Sequence, residues 1–235
     1  MIENLPPYIS IVFILTTILT VLLVFWTIRS SALQATRHKA IIVVIIMMFW
    51  LILQAALSLR NIYSEHLDEM PPRLFLLGVL PALLVILLLF ATASGRRFID
   101  SLPIKNITYL NIVRIPVEIV LLWLFLNKAV PKIMTFEGRN LDILSGITAP
   151  FIAYFGFTKK SIGRRVLLVW NFVCLALLIN VVVDAILSVP TPLQRLGFDQ
   201  PNVAVLYFPF AWLPVYIVPV VLCGHLASIR QLTKK

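Results

Sequence analysis

Residues 108–127 read TYLNIVRIPVEIVLLWLFLN, a run of membrane-crossing length with Arg114, Pro116 and Glu118 near its middle. About twenty apolar residues cross the roughly 30 Å hydrocarbon core of a bilayer. A central arginine costs about 2.5 to 3.5 kcal/mol to insert, a glutamate a comparable amount, and about twelve Leu, Ile, Val and Phe residues return only ~0.3 to 0.6 each. The sums nearly cancel, so this helix is expected to lie inside a bundle where protein satisfies its charges. Thr108, Asn111, Arg114 and Glu118 recur at three and four residues and share one helical face. Arg114 is expected to pair with Glu118 across one turn, although Arg before Glu is the weaker order. Pro116 lacks an N–H, which leaves the carbonyl of Ile112 for Arg114 or a bound water.

Six further runs flank this one, giving spans at 8–28, 40–59, 74–94, 108–127, 141–157, 166–188 and 203–223. With 60% hydrophobic and only 13% charged residues, the composition fits lipid as the solvent and excludes a disordered or ordinary soluble chain. The runs show no alternation of period two, so they are helices and not barrel strands. The expected fold is all-α: one integral membrane domain over residues 1–235, a polytopic seven-transmembrane-helix bundle with several proline-kinked helices. The first apolar run exceeds a signal-peptide core and has no cleavage site before Arg29, so it is expected to remain as a span.

Lysine and arginine set the orientation. Thirteen fall on one side, in groups at 29–39, 96–105, 159–165 and 230–235, against six on the other: Arg60, Arg73, Lys128, Lys132, Arg139 and Arg195. That asymmetry predicts an outside N-terminus and a cytoplasmic C-terminus, in an inner or plasma membrane. The net charge of +10 follows membrane orientation and not one helix face, so no nucleic-acid partner is expected. Tyr8, Trp26, Tyr63, Tyr109, Trp123, Trp170 and Tyr207 fall near span ends, where amphipathic rings suit the headgroup layer. Trp50 and Trp212 fall near mid-span, and their indole N–H groups are expected to find partners inside the bundle.

Other polar residues cluster toward the outer half. In span five, Asn140 is expected to cap the helix, with Asp142 in its first turn, and Pro150 orphans the carbonyl of Gly146. Asn180 and Asp184 in span six share a face four residues apart. Asp142, Asp184 and Gln54 are expected at similar depth. With Glu118 they outline a candidate polar cavity open to the outside, with Arg114 deeper. In span seven, Pro209, Pro214 and Pro219 free the carbonyls of Val205, Phe210 and Val215, so that helix is expected to be irregular and to line the cavity with Trp212 and Tyr216.

Several chemistries are disfavoured. His38 and His66 lie in loops and His225 at the inner end of span seven, so no clustered histidine metal site is expected. Cys174 and Cys223 sit in apolar runs and read as small buried hydrophobes. Span seven has no lysine to form a retinal Schiff base, Ser145 has no nearby base, and no glycine-rich nucleotide motif is present, so no cofactor is expected. The leading expectation is transport of, or binding to, a small polar solute or a proton, with Asn111, Arg114, Glu118, Asn140, Asp142, Asn180, Asp184 and Trp212 as ligand- or ion-binding residues. The alternatives are a structural or assembly subunit with protein partners in the membrane, and, behind it, a lipid enzyme using its carboxylates as acid and base.

Overall fold

The computed structural model describes residue 2 and residues 5–234; Met1, Glu3, Asn4 and Lys235, the last of the C-terminal basic group, lie outside the described residues. Among these residues the chain is all helical, without strands. In order come α1 (Pro7–Arg29), α2 (Gln34–His38), α3 (Ala40–Leu59), α4 (Leu80–Ala91) and α5 (Ala93–Ser101). They are followed by α6 (Ile104–Tyr109), α7 (Arg114–Leu126), α8 (Ile143–Ala153), α9 (Arg164–Ser188) and α10 (Val218–Thr233). Short π or 3-10 turns extend α4, α8 and α10 and join α6 to α7.

Five helical stretches are long and apolar enough to cross a membrane: Pro7–Arg29, Gln34–Leu59, Ile104–Leu126, Arg164–Ser188 and Leu213–Thr233. The pair Phe75–Ala91 and Ala93–Ser101, bent by 90°, makes a sixth if the two helices count as one broken span. The bend falls at Thr92, whose backbone is extended and whose hydroxyl caps α5 by accepting from the Gly95 N–H at 3.1 Å. The predicted third span at 74–94 therefore ends three residues early. The stretch Ile143–Thr158 is shorter; at 1.5 Å per residue it reaches roughly 24 Å, less than the hydrocarbon thickness.

The lateral faces are apolar where lipid would touch them. Ile11, Leu15, Ile18 and Leu22 form an exposed stripe on α1, and Ile41, Ile45, Phe49 and Ile52 form one on α3. The opposite face of α1 buries Ile9, Phe13 and Val21 with Thr16, Thr17, Thr20 and Thr27. Those hydroxyls donate to the carbonyls one turn back at 2.7 to 3.0 Å, so none of the four is left unpaired in apolar surroundings.

The basic-rich loops meet at one end of the bundle. Ser31 and Thr36 both bond the Ser101 hydroxyl at 3.0 Å, Arg230 and Lys234 engage Asp100, and Gln231 donates to the carbonyls of Ile99 and Leu102. At the other end Gln200 donates to Phe125 and Val130 carbonyls, and the N–H groups of Val203 and Ala204 share the Ala129 carbonyl.

Prolines shape the middle, and α3 compensates for two of them. Pro81 removes the donor for Leu77 and Pro219 the donor for Val215. Gln54 donates to the Leu77 carbonyl and Trp50 to the Val215 carbonyl, both at 3.0 Å. These two side chains stand one turn apart on α3, so a single helix face caps both orphaned carbonyls. Trp212 returns the contact by donating to the Leu51 carbonyl at 3.0 Å, so both mid-span indoles have partners. The Gln54 carbonyl oxygen accepts from Tyr63, whose hydroxyl burial pushes up to about 12. Gly78 permits this packing, since a Cβ there would lie 2.4 Å from Val215 Cγ1.

Span seven differs most from its predicted place. Its long helix covers Leu213–Thr233, about ten residues later than 203–223, because Pro209 and Pro214 keep residues 201–212 irregular. That irregular stretch is mostly buried, with Asn202, Ala204, Phe210 and Ala211 enclosed by protein, the setting in which non-helical backbone is tolerated at membrane depth. Replacing Trp50 by Phe, or Gln54 by Leu, leaves a buried carbonyl unpaired, and each is expected to cost about 1 to 3 kcal/mol. Thermal unfolding in detergent measures this, and a melting temperature equal to that of the wild type in both variants would contradict the capping role.

Candidate functional site

Arg114 begins α7, directly after the 3-10 turn 110–113 that precedes Pro116. It is 3% exposed, and Glu118, one turn later, is 1% exposed. The guanidinium reaches three other parts of the chain. Nη1 donates to Asp142 Oδ1 at 2.8 Å and to the Cys174 carbonyl on α9 at 3.3 Å, and Nη2 lies 3.2 Å from His225 Nε2 on α10. Arg114 thus forms its ion pair with Asp142 rather than with Glu118, and it does not turn back to the Ile112 carbonyl.

The proton on His225 follows from its neighbours. A guanidinium only donates, so Nε2 accepts and the ring is neutral with its proton on Nδ1. Nδ1 then donates to Asn171 Oδ1 at 3.0 Å, and Asn171 Nδ2 donates to the Leu167 carbonyl at 2.9 Å. A directed chain of bonds therefore runs from Arg114 through His225 and Asn171 to the backbone of α9. The Trp170 ring lies beside the imidazole, centroids 6.0 Å apart.

Glu118 meets a neutral partner. Asn140 Nδ2 lies 2.8 Å from each of its oxygens and 2.9 Å from the Met134 carbonyl, while Asn140 Oδ1 accepts from the Asp142 N–H at 3.0 Å. Asp142, not Asn140, occupies the N-cap position of α8; Asn140 ties the preceding turn instead. The cluster holds one guanidinium and two carboxyl groups beside a neutral imidazole, so it is electrically neutral when one carboxyl keeps a proton. An uncompensated charge buried in such surroundings is costly.

Three buried polar atoms here lack a protein partner: Arg114 Nε, Asn111 Oδ1 and Ser145 Oγ. Asn111 precedes Arg114 by three residues and Ser145 follows Asp142 by three, so all three belong to the ion pair and its adjoining turns. They offer an N–H donor, a carbonyl acceptor and a hydroxyl that serves as either. Close packing holds these turns together, since a Cβ on Gly146 would lie 2.8 Å from Ile115 Cγ1 and 3.2 Å from the Asn111 carbonyl oxygen.

The remaining predicted residues sit elsewhere. Asp184 is buried on α9 but bonds Arg139, whose Nε lies 3.0 Å from Oδ2, and Asn180 Nδ2 donates to the Arg139 carbonyl at 3.3 Å. Trp212 packs against α3. The expected group of acids is thereby divided: Asp142 belongs to the Arg114 node and Asp184 to a separate tie with the exposed Arg139. Residues 139 and 140 link them, Arg139 reaching α9 and Asn140 reaching α7. His225, Asn171, Arg139 and the Cys174 carbonyl did not figure among the predicted site residues. The signal for His225 was the apolar run continuing through Ile229, which places the histidine inside a helix rather than at its end. Among the described residues no three His, Cys, Asp or Glu side chains cluster closely enough to hold a metal ion.

A family described as a domain of unknown function (DUF8737) matches residues 71–233, and the chain belongs to that family. The match covers every element of the node. No curated protein and no solved structure matches the chain.

Arg114→Leu leaves Asp142 buried without its counter-charge and is expected to cost about 3 to 5 kcal/mol; adding Asp142→Leu is expected to recover most of that loss. The folded fraction after solubilisation in mild detergent, read by size-exclusion chromatography, checks this. A double variant no better folded than the single one would contradict a mutually compensating pair.

Proposed function

We propose that this DUF8737 member is a seven-helix protein of an inner or plasma membrane, with its N-terminus outside and its C-terminus in the cytoplasm. In this reading the Arg114 node exchanges a proton, or a small polar solute coupled to one, with the outside. The carrying observation is Glu118: a buried acid beside a buried arginine, yet bonded only to the neutral amide of Asn140. Ionisable groups at membrane depth mark proton and solute pathways more often than they mark packing.

The backbone supports the same reading. Near Glu118 lie residues 127–142, which connect α7 to α8, and residues 201–212, which are irregular although a span was expected from Val203; both stretches pass through buried positions. Broken helices of this kind place polar groups near the midplane. Glu118 would carry the proton, Asn140 would hold its carboxyl in place, and Arg114 with Asp142 would fix the local charge. The unpartnered Arg114 Nε, Asn111 Oδ1 and Ser145 Oγ supply complementary contacts for a small polar guest. Arg139 with Asp184 would guard the outer approach.

A second reading has its own observation. One guanidinium joins α7 to the turn before α8, to α9 and to α10, as expected of a residue that fixes helix packing in a structural or assembly subunit.

Proteoliposomes loaded with a pH-sensitive dye separate the two. Glu118→Gln preserves size and the bond to Asn140 but removes the exchangeable proton. It is expected to keep its elution profile and to lose proton flux by at least about tenfold, the lower end of what removing a positioned proton carrier costs. Flux equal to that of the wild type would remove Glu118 from the mechanism and leave the packing reading.

A further inference from the structure

At the basic end of the bundle, the turn from α1 into α2 forms an open cavity of about 450 Å³ lined by the exposed residues Arg29, Ala32, Gln34, Arg37 and His38. Its walls are held in place from beneath. Ser31 is buried and donates to the Ser101 carbonyl at 3.0 Å, and Thr36 bonds the Ser101 hydroxyl at the same distance. Arg37 Nε donates to the Ser31 carbonyl at 2.6 Å, which fixes the guanidinium stem and leaves both terminal nitrogens without a protein acceptor among the described residues. Arg29, Gln34 and His38 have no side-chain hydrogen bond or ion pair among those residues either. Among the described acidic residues only Asp100, in α5, lies at this end, and it is occupied by Arg230 and Lys234. Two guanidinium groups thus face one cavity with no carboxylate to neutralise them.

The cavity also lies at a definite height. Trp26, one residue short of a full turn before Arg29, packs against Tyr109 with centroids 6.0 Å apart, and such rings sit at the headgroup layer. Paired guanidinium forks match phosphate oxygens in geometry as well as charge.

We propose that this cavity binds a phosphate-bearing anion, either an anionic phospholipid headgroup or a free phosphorylated solute, through Arg29 and Arg37, with Gln34 and His38 as further polar contacts. The site is separate from the Arg114 node and independent of any role for Glu118.

The full chain in zwitterionic detergent is titrated with short-chain phosphatidylglycerol, short-chain phosphatidylcholine and inorganic phosphate, with binding read by thermal shift and native mass spectrometry. Wild type is expected to bind phosphatidylglycerol or phosphate but not phosphatidylcholine. Arg29→Gln with Arg37→Gln is expected to weaken that binding by at least about tenfold, from the usual contribution of a basic side chain near an anionic surface. Lys159→Gln with Lys160→Gln, exposed cations at the same end but outside the cavity, is expected to weaken it clearly less, because neither ammonium would contact the bound phosphate. Arg29→Lys with Arg37→Lys keeps the charge and loses the forks, so an intermediate loss with an unchanged elution profile supports the site. Binding of phosphatidylglycerol alone assigns it to a lipid headgroup, and binding of phosphate as well to the shared phosphate chemistry. Failure of the wild type to bind either anion, or equal weakening in the two glutamine doubles, would overturn the proposal.

Discussion

The arrangement depends on where one guanidinium goes. Arg114 enters an apolar helix that has nearly no free energy to spare for it, and the chain answers by bringing three other segments to its side chain. Asp142 supplies the opposite charge, His225 a neutral ring nitrogen and Cys174 a backbone carbonyl. Each acceptor is itself fixed: Asp142 through Asn140, and His225 through Asn171. Removing water from a charge makes every such bond matter more, because an unmet donor in low dielectric has no alternative partner.

Much of the surrounding irregularity follows from that requirement. Asp142 pairs with Arg114, which fixes the start of α8 against α7, and the stretch Ile143–Thr158 that follows is short. Residues 127–142 before it turn through buried positions such as Val130, Met134, Thr135 and Asn140. The chain before α10 behaves in the same way, and the two irregular stretches bond each other through the Ala129 carbonyl. On the far side, α3 tolerates two proline-interrupted partners because Trp50 and Gln54 replace the donors those prolines lack. The family match over residues 71–233 includes all of these features except α3.

Long apolar runs made the helical fold legible, and α3 begins and ends where its run does. The burial of Arg114 and Glu118 was also legible, since insertion energetics leave few alternatives. Their partners were not. Helical spacing can suggest only neighbours on the same helix, so Arg114 and Glu118 read as a pair, whereas the folded chain brings Asp142 and Asn140 to them from another segment. The register of the last helix was hidden by its prolines: the apolar run began at Val203, but the backbone could not become regular helix before Leu213, and this moved His225 from a predicted helix end into the core. Asp142 and Asp184 looked equivalent in depth and charge, and only tertiary contacts separate the acid that answers Arg114 from the one that answers Arg139.

The central claim is that Glu118 exchanges a proton from within this network. Infrared difference spectroscopy on the reconstituted protein, with isotopically labelled glutamate and a step in external pH, observes that carboxyl directly. The account predicts a carboxyl band that responds to the step and is absent in Glu118→Gln; a spectrum in which the variant and the wild type respond identically would contradict it.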